Sequence, residues 1–243
     1  MKTLIVPVAC VLLAACHADQ EDPSSFRSIE PVCVEDDDLP VGAWDCSEPL
    51  VIDCNDASVP DEIYVRLEPG QCDGVTLQDM DGPFPPGEHD IVIIDGISND
   101  AVCTTELTVT DAVAPVVTTE RQSMWPPNHK YHDITLADCI DEVLDCDDDW
   151  VAAIDWVSSD EPDDDNGDGN TDADVVIVAS DAVQLRSERQ GGSNGRVYTI
   201  GFTVTDGSGN VTEAACEVAV DHDQGKSKGG AVADEEAYRV EAD

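Results

Sequence analysis

The sequence predicts an all-β fold, because its apolar residues recur at every second position and its turns are frequent. Two segments show this alternation clearly: Trp150, Ala152, Ile154 and Trp156, and then Tyr198, Ile200, Phe202 and Val204. Apolar residues make up 41% of the chain but aromatic residues only 5%, so β-branched side chains carry much of the pattern, as is typical of strands. A Trp-bearing strand that faces a Tyr-led strand is the core arrangement of an immunoglobulin-like β-sandwich. We therefore predict tandem domains of this kind.

The N-terminal segment has the pattern of a cleaved export signal. A positively charged start precedes the apolar residues 3–12, a run shorter than the roughly 20 residues needed to span a bilayer. Leu13-Ala14-Ala15-Cys16 follows and resembles the lipobox of bacterial lipoproteins. The resemblance implies a signal peptide over 1–15, lipidation of Cys16 and a flexible tether over 16–31. An ordinary secretory signal is the alternative.

The lipobox resemblance also implies a location. A lipid on Cys16 would anchor the chain in a membrane of the cell envelope. Position 17 is His and not the Asp that resembles an inner-membrane retention signal. We therefore expect the outer membrane or the cell surface.

The charge of the chain excludes two classes of partner. The chain has 54 acidic and 11 basic residues, for a formal net charge of −43. Nucleic acids and anionic membrane surfaces are bound by clustered Lys and Arg, which this composition does not supply. Solubility and cation binding are the two interpretations that remain for such acidity.

Residues 32–111 form the first predicted module. The stretches EIYVRLE and TELTVTD alternate, HDIVIID is a more continuous apolar run, and turns fall between them. Gly70-Gln71-Cys72, Phe84-Pro85-Pro86-Gly87 and Asp95-Gly96 through Cys103 resemble the HYR module, although the usual DASGN-type turn is replaced by DGISNDA. That resemblance implies an immunoglobulin-like domain used in adhesion and interaction.

Residues 112–221 form the second predicted module. The Trp-Pro-Pro-Asn-His-Lys motif at 125–130 and the Asp-Gly-Ser-Gly-Asn turn at 206–210 resemble repeated immunoglobulin-like modules of bacterial secreted and surface proteins. The resemblance implies a fold and a location without a defined activity. Residues 222–243 contain Gly, Lys and Glu without periodicity, so we predict a disordered tail.

The acidic stretch DDDNGDGNTDAD at 163–174 is the candidate metal site. Its oxygen-bearing residues alternate around a turn glycine, in a spacing similar to that of an EF-hand loop. The predicted calcium ligands are Asp164, Asn166, Asp168, Asn170, Asp172 and Asp174. Val175 stands at the twelfth position instead of Glu, and the flanks have strand patterns. These departures exclude the EF-hand fold and predict weak binding, on the order of 10⁻⁴–10⁻³ M. A solvated acidic loop is the alternative.

The cysteines predict a disulfide framework, since an exported chain with an even number of them is typically oxidised. The cysteines beyond residue 16 are Cys33, Cys46, Cys54, Cys72, Cys103, Cys139, Cys146 and Cys216. Five fall in the first module and three in the second, so full pairing requires a bridge between modules or a different boundary. We predict a local Cys33–Cys46 loop, and Cys216 paired with Cys139 or Cys146.

Other reactive residues do not form a catalytic motif. His129, His132 and Asp133 are close in sequence and His222 follows the last strand, but no HExxH, GxSxG or phosphate-binding glycine loop accompanies them. Asn128 and His129 are expected to hydrogen-bond their own turn. The neighbouring Asp160 and Glu161 are interpreted as a solvated loop and not as an acid–base pair.

The sequence thus predicts a non-enzymatic, lipid-anchored surface protein for adhesion or envelope interaction, stabilised by calcium and bound to an unidentified protein or glycan. The first alternative is a carbohydrate- or peptide-binding accessory protein, which would need an exposed aromatic platform built from Trp44, Trp125 or Trp150. The second alternative is a hydrolase of uncharacterised type, disfavoured by the missing nucleophile motif.

Overall fold

The structure is a computed structural model that describes residues 29–35, 39–40, 43–55, 62–69, 71–73, 75–78, 84–146, 148–163, 171, 173–222 and 230–242. The chain divides into two compact units, Met1–Thr110 and Asp111–Asp243. The predicted all-β fold class is confirmed, since the regular elements among the described residues are strands apart from one helix of four residues. Over these same ranges, no helix has the length and apolarity to cross a bilayer. The predicted signal peptide and Cys16 lie outside the described residues.

Unit one contains two three-stranded sheets. The first has the order β1-β4-β2, with both pairs parallel, and the second has the order β3-β6-β5. The strands are β1 (Glu30–Val34), β2 (Trp44–Asp45), β3 (Leu50–Asp53), β4 (Glu62–Arg66), β5 (Gly87–Ile94) and β6 (Ala101–Thr110). Alternation along these strands buries one face, and the buried side chains include Ile63, Val65, Ile91, Ile93, Leu107 and Val109.

The tether predicted over 16–31 is wrong at its end. Ile29 is buried in the core of unit one, and β1 begins at Glu30. Burial of the apolar Ile29 side chain is favourable because it removes apolar surface from water, whereas a solvated tether would leave that surface exposed. The core and the first strand of unit one therefore include residues before the predicted boundary at residue 32.

The disulfides of unit one differ from the predicted pairing. Cys33 is bonded to Cys72 and Cys46 to Cys103. The predicted Cys33–Cys46 loop is wrong because β1 and β2 flank β4 on opposite sides. Two strand spacings separate them, about 10 Å, which exceeds the Cα separation that a disulfide can bridge.

Unit two is a β-sandwich with a larger five-stranded sheet. That sheet has the order β16-β11-β14-β15-β8, and a three-stranded sheet β12-β13-β9 and a pair β10-β7 complete the unit. Its elements are β7 (Val116–Thr119), β8 (Gln122–Met124), β9 (Tyr131–Thr135), α1 (Leu136–Cys139), β10 (Ile140–Leu144), β11 (Trp150–Ser159), β12 (Val175–Ala179), β13 (Ala182–Arg186), β14 (Gly195–Asp206), β15 (Val211–Asp221) and β16 (Tyr238–Glu241).

The core of unit two lies between these sheets. Ile154, Phe202 and Val218 from the large sheet share one buried cluster with Val183 and Leu185 from β13. The predicted bond of Cys216 with Cys139 or Cys146 is resolved as Cys139–Cys216. The hydroxyl of the buried Tyr198 donates to the Arg186 carbonyl at 2.8 Å, so this bond joins β14 to the end of β13.

The predicted position of Trp156 on the same face as Ile154 is wrong, because a β-bulge separates the two residues. The pairing of β11 with β14 shifts register between Ile154 and Trp156. Ile154 and Val157 both enter the core, and Trp156 turns to the outer face, where it contacts Gly201. The expected alternation from Trp150 to Trp156 therefore ends at the bulge, because one inserted residue reverses every later side chain.

The disordered tail predicted over 222–243 is wrong for residues 230–242. β16 pairs antiparallel with the edge of β11, and Tyr238 and Val240 pack against the core. Ala231 is buried with Val197 and Ala219. A strand of four residues is too short to show a periodic signal within an acidic, glycine-containing segment.

Candidate functional site

The base of the acidic loop is closed by Asp163. Its carboxylate accepts the backbone N–H of Ala173 at 3.2 Å and of Asp174 at 2.8 Å. These two bonds bring the ends of the loop together across ten residues of chain. The predicted ligands Asp164, Asn166, Asp168, Asn170 and Asp172 lie outside the described residues, so Asp174 is the one member of that set with a described position.

Asp174 is buried and belongs to an ion-pair cluster. Its Oδ1 lies 3.1 Å from Arg186 Nε, and its Oδ2 accepts a bond from Arg196 Nη1. Burial raises the pKa of Asp174 to about 7, with a further rise from the neighbouring Glu188, while Arg196 acts in the opposite direction. A metal ion at Asp174 would have to displace a guanidinium group.

Arg196 extends this cluster to the start of the loop. Its side chain is fully buried. Its Nε lies 3.2 Å from Glu161 Oε2, and its Nη2 donates to the Pro162 carbonyl at 2.9 Å. Glu161 also accepts the Gln190 N–H at 2.7 Å and the Ser193 hydroxyl. One arginine therefore holds both ends of the acidic loop against β14.

The expected solvation of Asp160 and Glu161 is wrong. Glu161 is buried, and Asp160 accepts the N–H groups of Val197 at 2.8 Å and Asp234 at 3.2 Å. Burial raises the pKa of Asp160, against the lowering effect of these two bonds. Both carboxylates fix neighbouring backbone, because buried acids persist only where donors surround them.

The Trp-Pro-Pro-Asn-His-Lys turn joins the same cluster. The Trp125–Pro126 peptide bond is cis, and His129 has a φ of 61°. Asn128 Oδ1 accepts the Lys130 N–H at 3.1 Å, and the His129 N–H donates to the Ser187 carbonyl at 3.0 Å. The expected hydrogen bonding of this turn is present, and the His129 N–H bonds the residue that directly follows β13.

His129 reaches a buried acid. Its Nδ1 lies 3.0 Å from Glu188 Oε2, and the same oxygen accepts the Thr171 hydroxyl at 2.6 Å. Thr171 belongs to the acidic loop, so Glu188 connects the turn to the loop. Because a carboxylate only accepts, this contact places the hydrogen of a neutral imidazole on Nδ1.

The other candidate residues do not join His129. Asp133 accepts a bond from Gln184 Nε2 at 2.9 Å, and His222 Nε2 lies 3.4 Å from the Gly191 carbonyl. His132 pairs with Leu185 in the β9–β13 ladder. Within the described ranges, no group of three or more metal-binding side chains contains a histidine.

A second acidic group lies at the β14–β15 turn. Ligand oxygens of Asp111, Asp145 and Asp206 lie within 4.8 Å of one another. Asp206 is buried and accepts the N–H of Asn210 at 2.8 Å and its Nδ2 at 2.9 Å, which fixes the turn. These three acids are far apart in sequence, and no local pattern of residues indicated that they would meet.

The proposed aromatic platform is not formed by the three tryptophans. Trp44 is 4% exposed and Trp125 is 42% exposed. Trp150 is partly buried against the core of unit two. A flat glycan-binding surface needs adjacent exposed rings, and of these three residues Trp125 alone offers one.

The sequence pattern did not indicate Arg186, Glu188 and Arg196 as members of the cluster. One signal was available: in a chain with 11 Lys and Arg residues, Arg196 occurs inside the apolar stretch that becomes β14. A cation in such a position needs buried acids around it. The identity of those acids depends on tertiary structure.

No family model and no curated protein matches the sequence. Among solved structures, the fibronectin(III)-like modules of Clostridium thermocellum CbhA match with 15% identity and a TM-score of 0.22, over 59% of this chain and 66% of that one. The chain thus covers just under two thirds of that structure, and a likeness of this strength carries no inference about function.

Proposed function

We propose that the chain is a non-enzymatic, lipid-anchored surface protein whose β-sandwich units present loops for adhesion or envelope interaction. The observation that carries this proposal is the ion-pair cluster below the acidic loop. Asp174 and Glu161 are buried against Arg196, and Glu188 is buried against His129 and Thr171. Each of these acids forms hydrogen bonds or ion pairs that fix a loop end or a turn.

This arrangement favours display over catalysis. A general acid or base must reach a substrate proton in an accessible site. Glu161, Asp174 and Glu188 are instead buried, and each has at least one oxygen held by arginine, hydroxyl, imidazole or backbone donors. These contacts fix the two ends of the acidic loop against β13 and β14, as a recognition loop on a rigid scaffold requires.

Calcium is part of the proposal. Asp163 and Arg196 hold the two ends of the loop together, and the sequence between these ends is rich in Asp and Asn. Such crowded acids repel, and a divalent cation would convert the repulsion to attraction. The proposed ligands are Asp164, Asn166, Asp168, Asn170 and Asp172, while Asp174 remains bound to its two arginines.

The lipid anchor is proposed from the sequence around Cys16. Metabolic labelling with a radioactive fatty acid should mark the wild-type chain and leave Cys16→Ser unlabelled. Protease accessibility on intact cells would then show whether the units face the outside. An unlabelled wild-type chain in a cell that labels its other lipoproteins would contradict the anchor.

Binding is tested with the purified chain from residue 17 onward. A glycan array and a pull-down of envelope proteins should give a ligand whose retention falls when Asp164, Asp168 and Asp172 are all changed to Asn. The same change at the exposed Asp141, Glu142 and Glu213, with Gln for Glu, is the charge-matched control. Glycan retention that depends on Trp125 and not on the loop would favour the carbohydrate-binding alternative. Turnover of an offered glycan or peptide would overturn the non-enzymatic proposal.

A further inference from the structure

The C-terminal strap, defined here as residues 230–242, crosses one edge of unit two. It begins where the Ala231 N–H donates to Asp221 Oδ1 at 2.8 Å and the Ala231 side chain is buried beside Gly195. Asn194 Nδ2 donates to the Val232 carbonyl at 3.2 Å. The strap then reaches β11, where it adds the strand β16.

The pairing of the strap with β11 has a defined register. Ser159, Ser158, Val157 and Trp156 lie opposite Tyr238, Arg239, Val240 and Glu241. Beyond the ladder, the Ala237 N–H donates to the Ser159 carbonyl and the Ala242 N–H donates to the Asp155 carbonyl, each at 2.8 Å. Main-chain bonds therefore supply much of the attachment, as in β-strand addition to an exposed sheet edge.

Side chains make this edge selective for the strap. The Arg239 guanidinium lies 3.9 Å from the centre of the Trp156 ring. On the neighbouring strand Gly201 contacts the same indole. Tyr238 and Val240 pack against the core from its margin. A cation and two apolar residues in alternating positions therefore add to the main-chain pairing of the strap.

The strap is peripheral to the core that it covers. The larger buried cluster of unit two is built from β8, α1 and β11–β15, and the strap adds to it only the partly buried Tyr238 and Val240. Ala231 of the strap is buried in a small separate cluster with Val197 and Ala219. Local opening of the strap would leave the larger cluster in place, so it costs less than global unfolding. An open strap also leaves residues 156–159 as an unpaired strand edge, which readily pairs with another chain.

We propose that this edge of β11 is an assembly site that receives the strap of a second copy of the chain. Each copy carries one acceptor edge and one strap with the matching register, so exchange can close a reciprocal dimer or propagate as an open chain. The proposal does not rest on the lipid anchor or on adhesion. The strap of the same chain competes at an effective concentration of about 1 mM, so exchange requires comparable protein concentrations.

Paired cysteine variants of the full mature chain test the exchange. Ser158 and Arg239 are register partners, so a mixture of a Ser158→Cys chain with an Arg239→Cys chain at about 1 mM should form a disulfide-linked heterodimer. A mixture of Ser158→Cys with Val232→Cys is the control, because Val232 is an exposed strap residue outside the ladder. The Ser158→Cys, Arg239→Cys double variant should form an intrachain bridge at low concentration.

The outcomes separate the alternatives. Heterodimers that exceed the control, together with the intrachain bridge in the double variant, support the exchange. The intrachain bridge without heterodimers shows that the strap serves its own chain and overturns the proposal, and a missing intrachain bridge overturns the register itself. Light scattering without added cysteines gives a second readout. Val240→Asp should abolish the concentration-dependent dimer, and Val232→Asp should leave it unchanged.

Discussion

The indole of Trp156 lies against Gly201 on the outer face of the five-stranded sheet. A Cβ built on Gly201 would be 2.6 Å from the indole Nε1 and closer to two ring carbons. The bulge in β11 places the ring opposite a residue without a side chain. The aromatic ring thereby covers backbone that glycine leaves bare, a device that stabilises glycine-containing strands.

This contact predicts a cost for any side chain at Gly201. Gly201→Ala should lower the free energy of unfolding by about 1–3 kcal/mol, because the methyl group forces the indole to move. Gly191→Ala is the control, since a Cβ there meets nothing within 4 Å, and its effect should stay within about 0.5 kcal/mol. Urea unfolding followed by tryptophan fluorescence measures both. Equal effects at the two positions would contradict the contact.

The Arg196 ion pairs predict a larger loss. Arg196→Met leaves the buried Asp174 and Glu161 without their shared cation, which should cost about 3–5 kcal/mol. Arg121→Met is the control, because Arg121 forms an exposed pair with Glu217 at 3.5 Å and donates one hydrogen bond to the Ala231 carbonyl, so its loss should cost about 1–2 kcal/mol. Chemical denaturation at neutral pH compares the two variants. A small effect at both sites would mean that the cluster contributes little to stability.

The sequence predicted the fold class well because strand alternation is local. In the segment from Tyr198 to Val204, the apolar residues at every second position identify the buried face of the strand. Trp156 was misplaced because a bulge inserts one residue at a point that the pairing strand decides. The sequence does not predict the strap, because its strand of four residues is too short to show the alternation of apolar and polar residues.

The candidate site was less predictable than the fold. The acidic loop was visible as a run of carboxylates, and the turn at 125–130 as a motif. Their connection depends on the end of β13, which lies near both. Glu188, two residues beyond β13, contacts His129 in the turn and Thr171 in the loop, and Arg186 contacts Asp174 at the end of the loop. Such contacts follow from the order of strands in the sheets, which local spacing does not encode.

The raised pKa of Asp174 predicts a pH dependence of stability. Burial raises it from 3.8 to about 7, so the folded state holds this proton more tightly than the unfolded state. The stability contributed by this proton is present below pH 3.8 and lost as the pH rises through 7. Asp174→Asn does not titrate, so its unfolding free energy should vary less between pH 5 and 8. Parallel wild-type and variant curves in urea titrations would rule out this linkage.

Calcium should raise the melting temperature of the mature chain if the acidic loop binds it. With a dissociation constant of about 10⁻⁴–10⁻³ M, 10 mM calcium would add about 1.4–2.7 kcal/mol by mass action, a shift of several degrees. Changing Asp164, Asp168 and Asp172 to Asn should abolish the shift, because the loop then lacks three of its anionic ligands. The charge-matched control at Asp141, Glu142 and Glu213 should retain it. A shift that survives the loop substitutions would assign the calcium to another acidic group, with Asp111, Asp145 and Asp206 the next to test.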